Sequence, residues 1–104
     1  MIRNALIMKL RPGNEAEYKR RHDELWPELA DALHGAGVSD YSIFLDEATG
    51  TLFAVQKLTD DNTVDALPEL PVVKKWWAYM ADLMETNPDN SPLALPLREV
   101  FHLD

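Results

Sequence analysis

The feature that most constrains the fold of this chain is a set of three strand-like segments that are apolar on both faces. Each alternates with the two-residue period of a β-strand; the segments are residues 2–10, 38–46 and 51–58. In the first of them Leu6 and Met8 point to one face, and Ala5 and Ile7 point to the other. A sheet of such strands exposes apolar surface unless something covers each of its two faces.

Two helical regions lie between the strands. The first begins near Glu15, and Pro27 is expected to break it, because proline donates no backbone N–H and disfavours helix at the preceding Trp26. The second helix is predicted over residues 71–84, and a last strand is predicted over 97–103.

The resulting order, β-α-β-β-α-β, predicts an α+β protein of the ferredoxin-like type. In this fold a four-stranded antiparallel sheet carries its helices on one face. We expect residues 1–104 to form one domain, since this length suits a single core. The other face is closed most simply by a second copy of the same sheet, so we expect a homodimer, a dimeric α+β barrel.

Composition and charge exclude several classes of function. The formal net charge is −8, which argues against nucleic acid as a partner because phosphate binding needs a basic face. The chain has no cysteine, so a disulfide framework, a thiolate nucleophile and a Cys-ligated metal are excluded. Its histidines lack metal-ligand spacing and it has no glycine-rich phosphate loop, so we expect neither a metal nor a cofactor.

The sequence also predicts where the protein works. No apolar run approaches the roughly 20 residues of a membrane span, so no membrane association is expected. The first residues, Met1-Ile2-Arg3-Asn4, pass directly into strand-like alternation and lack the apolar stretch of a signal peptide. We therefore expect a cytoplasmic location.

The first candidate for chemistry is His22. It follows Tyr18 by four residues, so both side chains share the apolar face of the first helix. Histidine is the side chain best suited to proton transfer near neutral pH. The alternative is a core histidine bonded to a backbone carbonyl, and the pattern alone favours that alternative.

A tryptophan pair is the second candidate. Trp76 and Trp77 are adjacent on a helix and point about 100° apart, so one packs in the core while the other faces a cavity, a groove or a partner. A tryptophan face suits a sugar, and it also suits other flat or apolar ligands. A large core with a dimer contact explains the pair equally well.

Tyr41 is the third candidate. It lies on the strand face that also carries Ile43 and Leu45. If that face meets the helices, the Tyr41 hydroxyl enters the same interior as Tyr18 and His22, where a polar ligand could satisfy it. Otherwise the tip of the side chain reaches solvent at a strand end.

Four stretches of the chain are specific in combination. They are Tyr18-Lys19-Arg20-Arg21-His22-Asp23-Glu24-Leu25-Trp26-Pro27-Glu28-Leu29, Tyr41-Ser42-Ile43-Phe44-Leu45-Asp46, Trp76-Trp77-Ala78-Tyr79-Met80 and Asn87-Pro88-Asp89-Asn90-Ser91-Pro92. Together they resemble the L-rhamnose mutarotase family. The similarity covers essentially the whole chain and is weakest at residues 59–73 and 93–97.

The resemblance implies a ferredoxin-like dimer that interconverts the α and β anomers of L-rhamnose in rhamnose catabolism. It implies that His22 is the proton donor and that the sugar contacts Tyr18, Tyr41, Trp76 and Trp77. We expect His22 to act as an imidazolium that protonates the ring oxygen. The group that takes the proton of the anomeric hydroxyl is left open among a tyrosine, a carboxylate and a water. This chemistry requires no metal or redox cofactor.

Two other classes of function fit the same architecture. A cofactor-light monooxygenase or haem-degrading enzyme of the dimeric α+β barrel type would hold haem or a large aromatic substrate in the apolar interior. A non-catalytic binding or dimerisation module would use His22 and the aromatic residues only as core. Haem addition, and stabilisation of the fold by rhamnose, separate these hypotheses.

Overall fold

The computed structural model describes residues 1–104, which form four strands and three α-helices. The strands are β1 (Ile2–Lys9), β2 (Val38–Asp46), β3 (Thr51–Leu58) and β4 (Leu95–Leu97). The helices are α1 (Glu15–Asp23), α2 (Pro27–Gly35) and α3 (Pro71–Met80), with a short 3₁₀ helix at Val64–Glu69. None of these helices is long and apolar enough to span a membrane.

The strands form one antiparallel sheet in the order β2-β3-β1-β4. With the helices in the connections, this is the predicted α+β, ferredoxin-like arrangement. The first helical region is divided as expected: α1 ends at Asp23 and α2 begins at Pro27, with Trp26 between them in an extended conformation. Pro27 sits at the first position of its helix, where a missing backbone N–H costs nothing.

The face of the sheet that meets the helices carries the core. We call it the inner face. On this face, β1 and β3 are paired at Met8–Leu52 and Leu6–Ala54. On the same face, β2 and β3 are paired at Leu45–Leu52 and Ile43–Ala54. These residues pack with Trp76, Met80 and Leu29 from the helices. The two least exposed large side chains, Leu10 and Leu52, lie at one end of this layer.

The opposite face of the sheet, which we call the outer face, carries apolar side chains that no helix covers. Phe44 of β2 and Phe53 of β3 are direct partners across the sheet, and Ile7 of β1 lies beside Phe53. Large parts of the apolar side chains on this face are exposed, namely Phe44, Phe53, Val55, Leu95 and Leu97. The alternation that places Leu6 and Met8 inward thus leaves a second apolar surface without a cover.

Two predicted boundaries are wrong. The last strand is Leu95–Leu97 rather than 97–103, because the segment pairs with β1 only opposite residues 5–7 and the chain beyond it makes no ladder. An ion pair from Arg3 to Glu99, at 2.9 Å, holds that tail instead.

The last helix ends at Met80 rather than 84. Beyond the helix the chain turns, and Met84 forms an isolated antiparallel bridge with Leu10, just after the end of β1.

Candidate active site

A cavity lies between the helices and the inner face of the sheet. Its volume is about 1220 Å³, which exceeds the roughly 300–1,000 Å³ typical of small-molecule sites. Every site residue predicted from the sequence lines it: Tyr18, His22, Tyr41, Trp76 and Trp77. The structure therefore brings together residues from α1, β2 and α3 that are up to 59 positions apart (Tyr18 to Trp77, 77 − 18 = 59).

His22 is fixed by the helix that carries it. Its Nδ1 atom lies 3.0 Å from the carbonyl oxygen of Tyr18, one turn earlier, so Nδ1 carries a proton and donates it to that oxygen. The backbone contact considered in the sequence analysis is therefore present, yet the imidazole also faces the cavity. Because the carbonyl engages Nδ1, Nε2 is the ring nitrogen left for a ligand.

Burial controls the protonation of His22. The side chain is partly buried, and the loss of solvation lowers its pKa below the ordinary value of 6.5. The hydrogen bond to Tyr18 and the charge of Asp23 act in the opposite direction and are weaker. The neutral imidazole is therefore favoured at neutral pH, with a lone pair on Nε2.

Aromatic rings surround the imidazole. The Tyr18 ring lies 4.3 Å from it between centroids, and the Trp76 ring meets it edge to face at 5.3 Å. Trp76 is buried, and Trp26 and Tyr79 pack behind it at 5.1 and 5.8 Å between ring centroids. Trp77, the next residue of α3, is half-buried and lines the cavity from another direction. Trp76 thus packs in the core while Trp77 forms part of the cavity wall, as their spacing predicts.

A β-bulge lies beside Tyr41, which lines the cavity. Ser39 pairs with Lys57 and Ser42 pairs with Val55, so both Asp40 and Tyr41 stand opposite the single residue Gln56. Asp40 takes a left-handed conformation with φ 48°, which is uncommon for a residue other than glycine. Tyr41 keeps the inward alternation of Ile43 and Leu45, and the extra residue shifts the parity of the strand so that Val38, which precedes the bulge, is also buried.

The two phenols of the site stay protonated. Tyr18 is buried, and desolvation raises its pKa well above the ordinary value of 10, with the nearby Tyr41 adding to the increase. Although 42% of Tyr41 is exposed, desolvation of its hydroxyl raises the pKa of that group too. Both hydroxyls can therefore donate and accept hydrogen bonds across the neutral pH range.

Gln56 is a cavity residue that sequence reasoning missed. It lies on the inner face of β3, and its Nε2 donates to Asn4 Oδ1 of β1 at 2.9 Å. A signal was present, because Gln56 continues the inward alternation of Leu52 and Ala54 and is the one polar residue in that series. Its carboxamide oxygen makes no hydrogen bond within the protein, so it is free to accept one.

Arg21 was missed for a different reason: two of its partners, Tyr79 and Asp82, are distant in the sequence. Its guanidinium donates to the Tyr79 carbonyl oxygen at 2.6 Å and to Asp82 at 2.9 Å, and it stacks 4.4 Å from the centre of the Tyr79 ring. Glu17 of α1 accepts from the same side chain at 2.7 Å. Arg21 therefore joins α1, which carries His22, to the end of α3.

Taken together, these residues can transfer a proton inside an apolar enclosure. A neutral imidazole has a free nitrogen near protonated phenols, and aromatic faces bound the space around it. No three His, Asp or Glu side chains of the chain converge as a metal-binding group would require. The arrangement suits acid–base chemistry on a small, partly apolar molecule that bears hydroxyls.

Comparison with known proteins is consistent with this chemistry. The profile of the L-rhamnose mutarotase family matches residues 3–103. An L-rhamnose mutarotase of Jannaschia sp. (strain CCS1) is 61% identical over 103 residues, which are 99% of both chains, and one of Rhizobium johnstonii is 62% identical over 101 residues, which are 97% of this chain and 95% of the relative.

A solved structure agrees with these sequence matches. The crystal structure of an L-rhamnose mutarotase from Formosa agariphila superposes with a TM-score of 0.93 at 53% identity and covers 100% of both chains. None of these matches supports the monooxygenase, haem-degrading or non-catalytic alternatives. The chain therefore belongs to the L-rhamnose mutarotase family.

Proposed function

We propose that this chain interconverts the α and β anomers of L-rhamnose in the cavity around His22. The observation that carries the proposal is the imidazole itself: one nitrogen is held by a backbone carbonyl, and the other is free in an aromatic cavity with room for a hexose. The relatives named above carry this activity in their names. An isomerisation of this kind consumes no second substrate.

The reaction moves one proton between two oxygens of the same carbon. Nε2 of neutral His22 takes the proton of the anomeric hydroxyl, the bond from the anomeric carbon to the ring oxygen breaks, and an aldehyde forms. The imidazolium then gives its proton to the ring oxygen, which has received the electron pair of the broken bond. Rotation about the bond to the aldehyde carbon and the reverse sequence close the ring with the opposite configuration. Positioned proton transfer of this kind contributes about 10²–10⁴ in rate.

This scheme changes the expected starting state of His22. From the sequence we expect an imidazolium that protonates the ring oxygen, whereas burial lowers the pKa of His22 and favours the neutral ring. In the revised order His22 still protonates the ring oxygen, but with the proton that it has taken from the sugar. One group then serves as both the base and the acid.

The other cavity residues bind and orient the sugar in this proposal. Tyr18 and Tyr41 hydrogen bond with its hydroxyls, since desolvation keeps both phenols protonated. Trp76 and Trp77 receive its C–H face and its 6-methyl group, because an indole face matches apolar sugar surface.

Anomer exchange measured by saturation-transfer NMR tests the role of His22. His22→Asn keeps a donor for the Tyr18 carbonyl but removes the titratable nitrogen, so we expect the exchange rate to fall by about 10²–10⁴. His102→Asn, the same substitution on the exposed tail outside the cavity, is the matched control and should keep the wild-type rate. A folded His22→Asn protein with full exchange would overturn the assignment.

We also propose that the enzyme is a homodimer formed through the outer face of the sheet. That face exposes five large apolar side chains, among them Phe44 at 56% and Leu95 at 64%. The adjoining tail exposes three more, Val100, Phe101 and Leu103. So many exposed large apolar side chains on one face of a chain of 104 residues are typical of an interface. The single-domain organisation of residues 1–104 and a cytoplasmic location stay predictions.

A further inference from the structure

We propose that Asn90 is a substrate-binding residue whose carboxamide hydrogen bonds with hydroxyls of the sugar. The inference rests on the proposed function, because it assumes that the cavity around His22 holds the substrate. It concerns the loop Asn87–Pro92, which connects α3 to β4 and to which the sequence analysis assigns no role.

The loop reaches the same cavity as the imidazole. Asn90, Ser91 and Pro92 line that cavity together with His22 and Trp77. Asp89 lies close enough to Lys74 for the lysine charge to help lower the pKa of the carboxyl, and Lys74 is one helical turn before Trp77. The loop therefore borders the cavity on the side of the tryptophan pair.

Hydrogen bonds of its own side chains link the two ends of the loop. The Asn87 N–H donates to the Ser91 carbonyl at 2.8 Å, and Asn87 Nδ2 donates to Ser91 Oγ at 2.9 Å. Asp89 Oδ1 accepts from both the backbone N–H and the hydroxyl of Ser91. These contacts occupy every polar side chain of the segment except that of Asn90.

The Asn90 carboxamide is the group left without a partner. Its backbone N–H donates to the Asn87 carbonyl at 3.0 Å, but its side chain makes no hydrogen bond within the protein. The residue has φ 71°, a conformation that glycine adopts at lower cost. A carboxamide offers both a donor and an acceptor, which suits neighbouring hydroxyls on a sugar ring. The loop thus presents an exposed, sugar-compatible group at the cavity.

Asn90→Gly separates binding from backbone conformation. Glycine keeps the positive φ and removes only the carboxamide, so the variant should fold with an unchanged melting temperature. We expect its affinity for L-rhamnose to fall by about 3- to 10-fold, as for the loss of one or two hydrogen bonds. Anomer exchange at low L-rhamnose concentration should fall in the same proportion, because less sugar is bound.

Deoxy analogues of L-rhamnose sharpen the test. The wild-type protein should bind more weakly the analogue that lacks the contacted hydroxyl, whereas Asn90→Gly should bind that analogue and L-rhamnose alike. Equal affinities of Asn90→Gly and wild type for L-rhamnose would overturn the inference and reduce Asn90 to a turn residue.

The two proposals fail in different ways in this experiment. A folded His22→Asn protein that retains full exchange, beside an Asn90→Gly protein with weakened affinity, would overturn the chemistry and leave Asn90 as a binding residue. Weakened exchange in His22→Asn with unchanged affinity in Asn90→Gly would do the opposite. A wild-type protein that does not bind L-rhamnose would overturn both.

Discussion

The two faces of the sheet share one alternating pattern but have different surroundings. The inner face is covered by helices that leave a cavity of about 1220 Å³, and polar groups such as Gln56 and the Tyr41 hydroxyl reach into it. The outer face has no cover, and its exposed residues include the apolar Phe44, Phe53 and Val55 together with Ser42, the cross-strand partner of Val55. Apolar alternation alone therefore does not show whether a face of the sheet forms a core, an interface or a binding site. The cavity between the inner face and the helices, and not the pattern of the strands, identifies the face that holds the candidate site.

The largest effect is expected from a charge placed on the outer face. Phe44→Glu would bury a carboxylate without a partner in the proposed interface, a cost of several kcal/mol. We expect the dissociation constant of the dimer to rise by about a thousandfold or more, measured by sedimentation equilibrium. Ala48→Glu in the neighbouring hairpin turn adds the same charge away from the face and should leave the dimer intact. A Phe44→Glu protein with wild-type mass at low micromolar concentration would contradict the proposed interface.

The second prediction concerns the pH dependence of the inner-face site. Burial lowers the pKa of His22 below 6.5, so the neutral, proton-accepting form is present above that pKa and is lost as the pH falls through it. The exchange rate per enzyme should therefore be level near neutral pH and fall about tenfold per pH unit in the acidic range.

The stability that comes from the neutral His22 should be lost in the same direction, because protonation of a buried imidazole opposes folding. NMR exchange measured from pH 4.5 to 8 provides the test, after subtraction of the reaction without enzyme. A rate that instead falls as the pH rises through neutrality would restore the imidazolium as the starting form.

The third prediction concerns the contacts of Arg21 that connect α1 to α3. Arg21 is 12% exposed and connects Glu17, the Tyr79 carbonyl and Asp82. We expect Arg21→Ala to lower the free energy of unfolding by about 1–2 kcal/mol, measured with urea, because several charge-assisted hydrogen bonds are lost.

Its matched partner is Asp82→Ala. This variant removes only the exposed end of the contact and should cost no more than about 0.5 kcal/mol, as is usual for an exposed ion pair. Equal stabilities of Arg21→Ala and wild type would show that α1 and α3 are held by apolar packing alone.

The smallest effect is expected at Gln56. Gln56→Leu makes this position of the inner face as apolar as the outer face and removes one acceptor from the cavity. We expect KM for L-rhamnose to rise about 2- to 5-fold, the range for one hydrogen bond in a solvated site, with little change in kcat. Asn4→Ala frees Gln56 without removing it and should change KM less. An unchanged KM in Gln56→Leu would mean that the sugar does not reach β3.

Much of the fold follows from local pattern. Alternation locates β1, β2 and β3, and the chemistry of proline places the break before Pro27. The strand β4 could not be located in the same way, because it has three residues with Pro96 at its centre and pairs only as an edge strand. The 3₁₀ helix at Val64–Glu69 lies in a stretch with no clear period, so the sequence indicated no element there.

The site was predictable where local spacing or resemblance identified its residues. The spacing of Tyr18 and His22 places both on one helical face, and the adjacency of the tryptophans requires that they diverge. Arg21 could not be found this way, because its partners lie 58 and 61 positions away and only the packing of α1 against α3 unites them. The bulge at Asp40 was likewise not predicted, because its only trace in the sequence is that the apolar Val38 is out of phase with Tyr41, Ile43 and Leu45.

That bulge makes the length of β2 as important as its composition. Val38 and Tyr41 are three residues apart, so regular alternation would place them on opposite faces of the sheet. Val38 is nevertheless buried and Tyr41 opens onto the cavity, because the extra residue of the bulge lies between them. Removal of Asp40 would restore an even count and force one of them to the wrong side of the sheet. Evolution of this segment can therefore exchange side chains far more freely than it can gain or lose a residue.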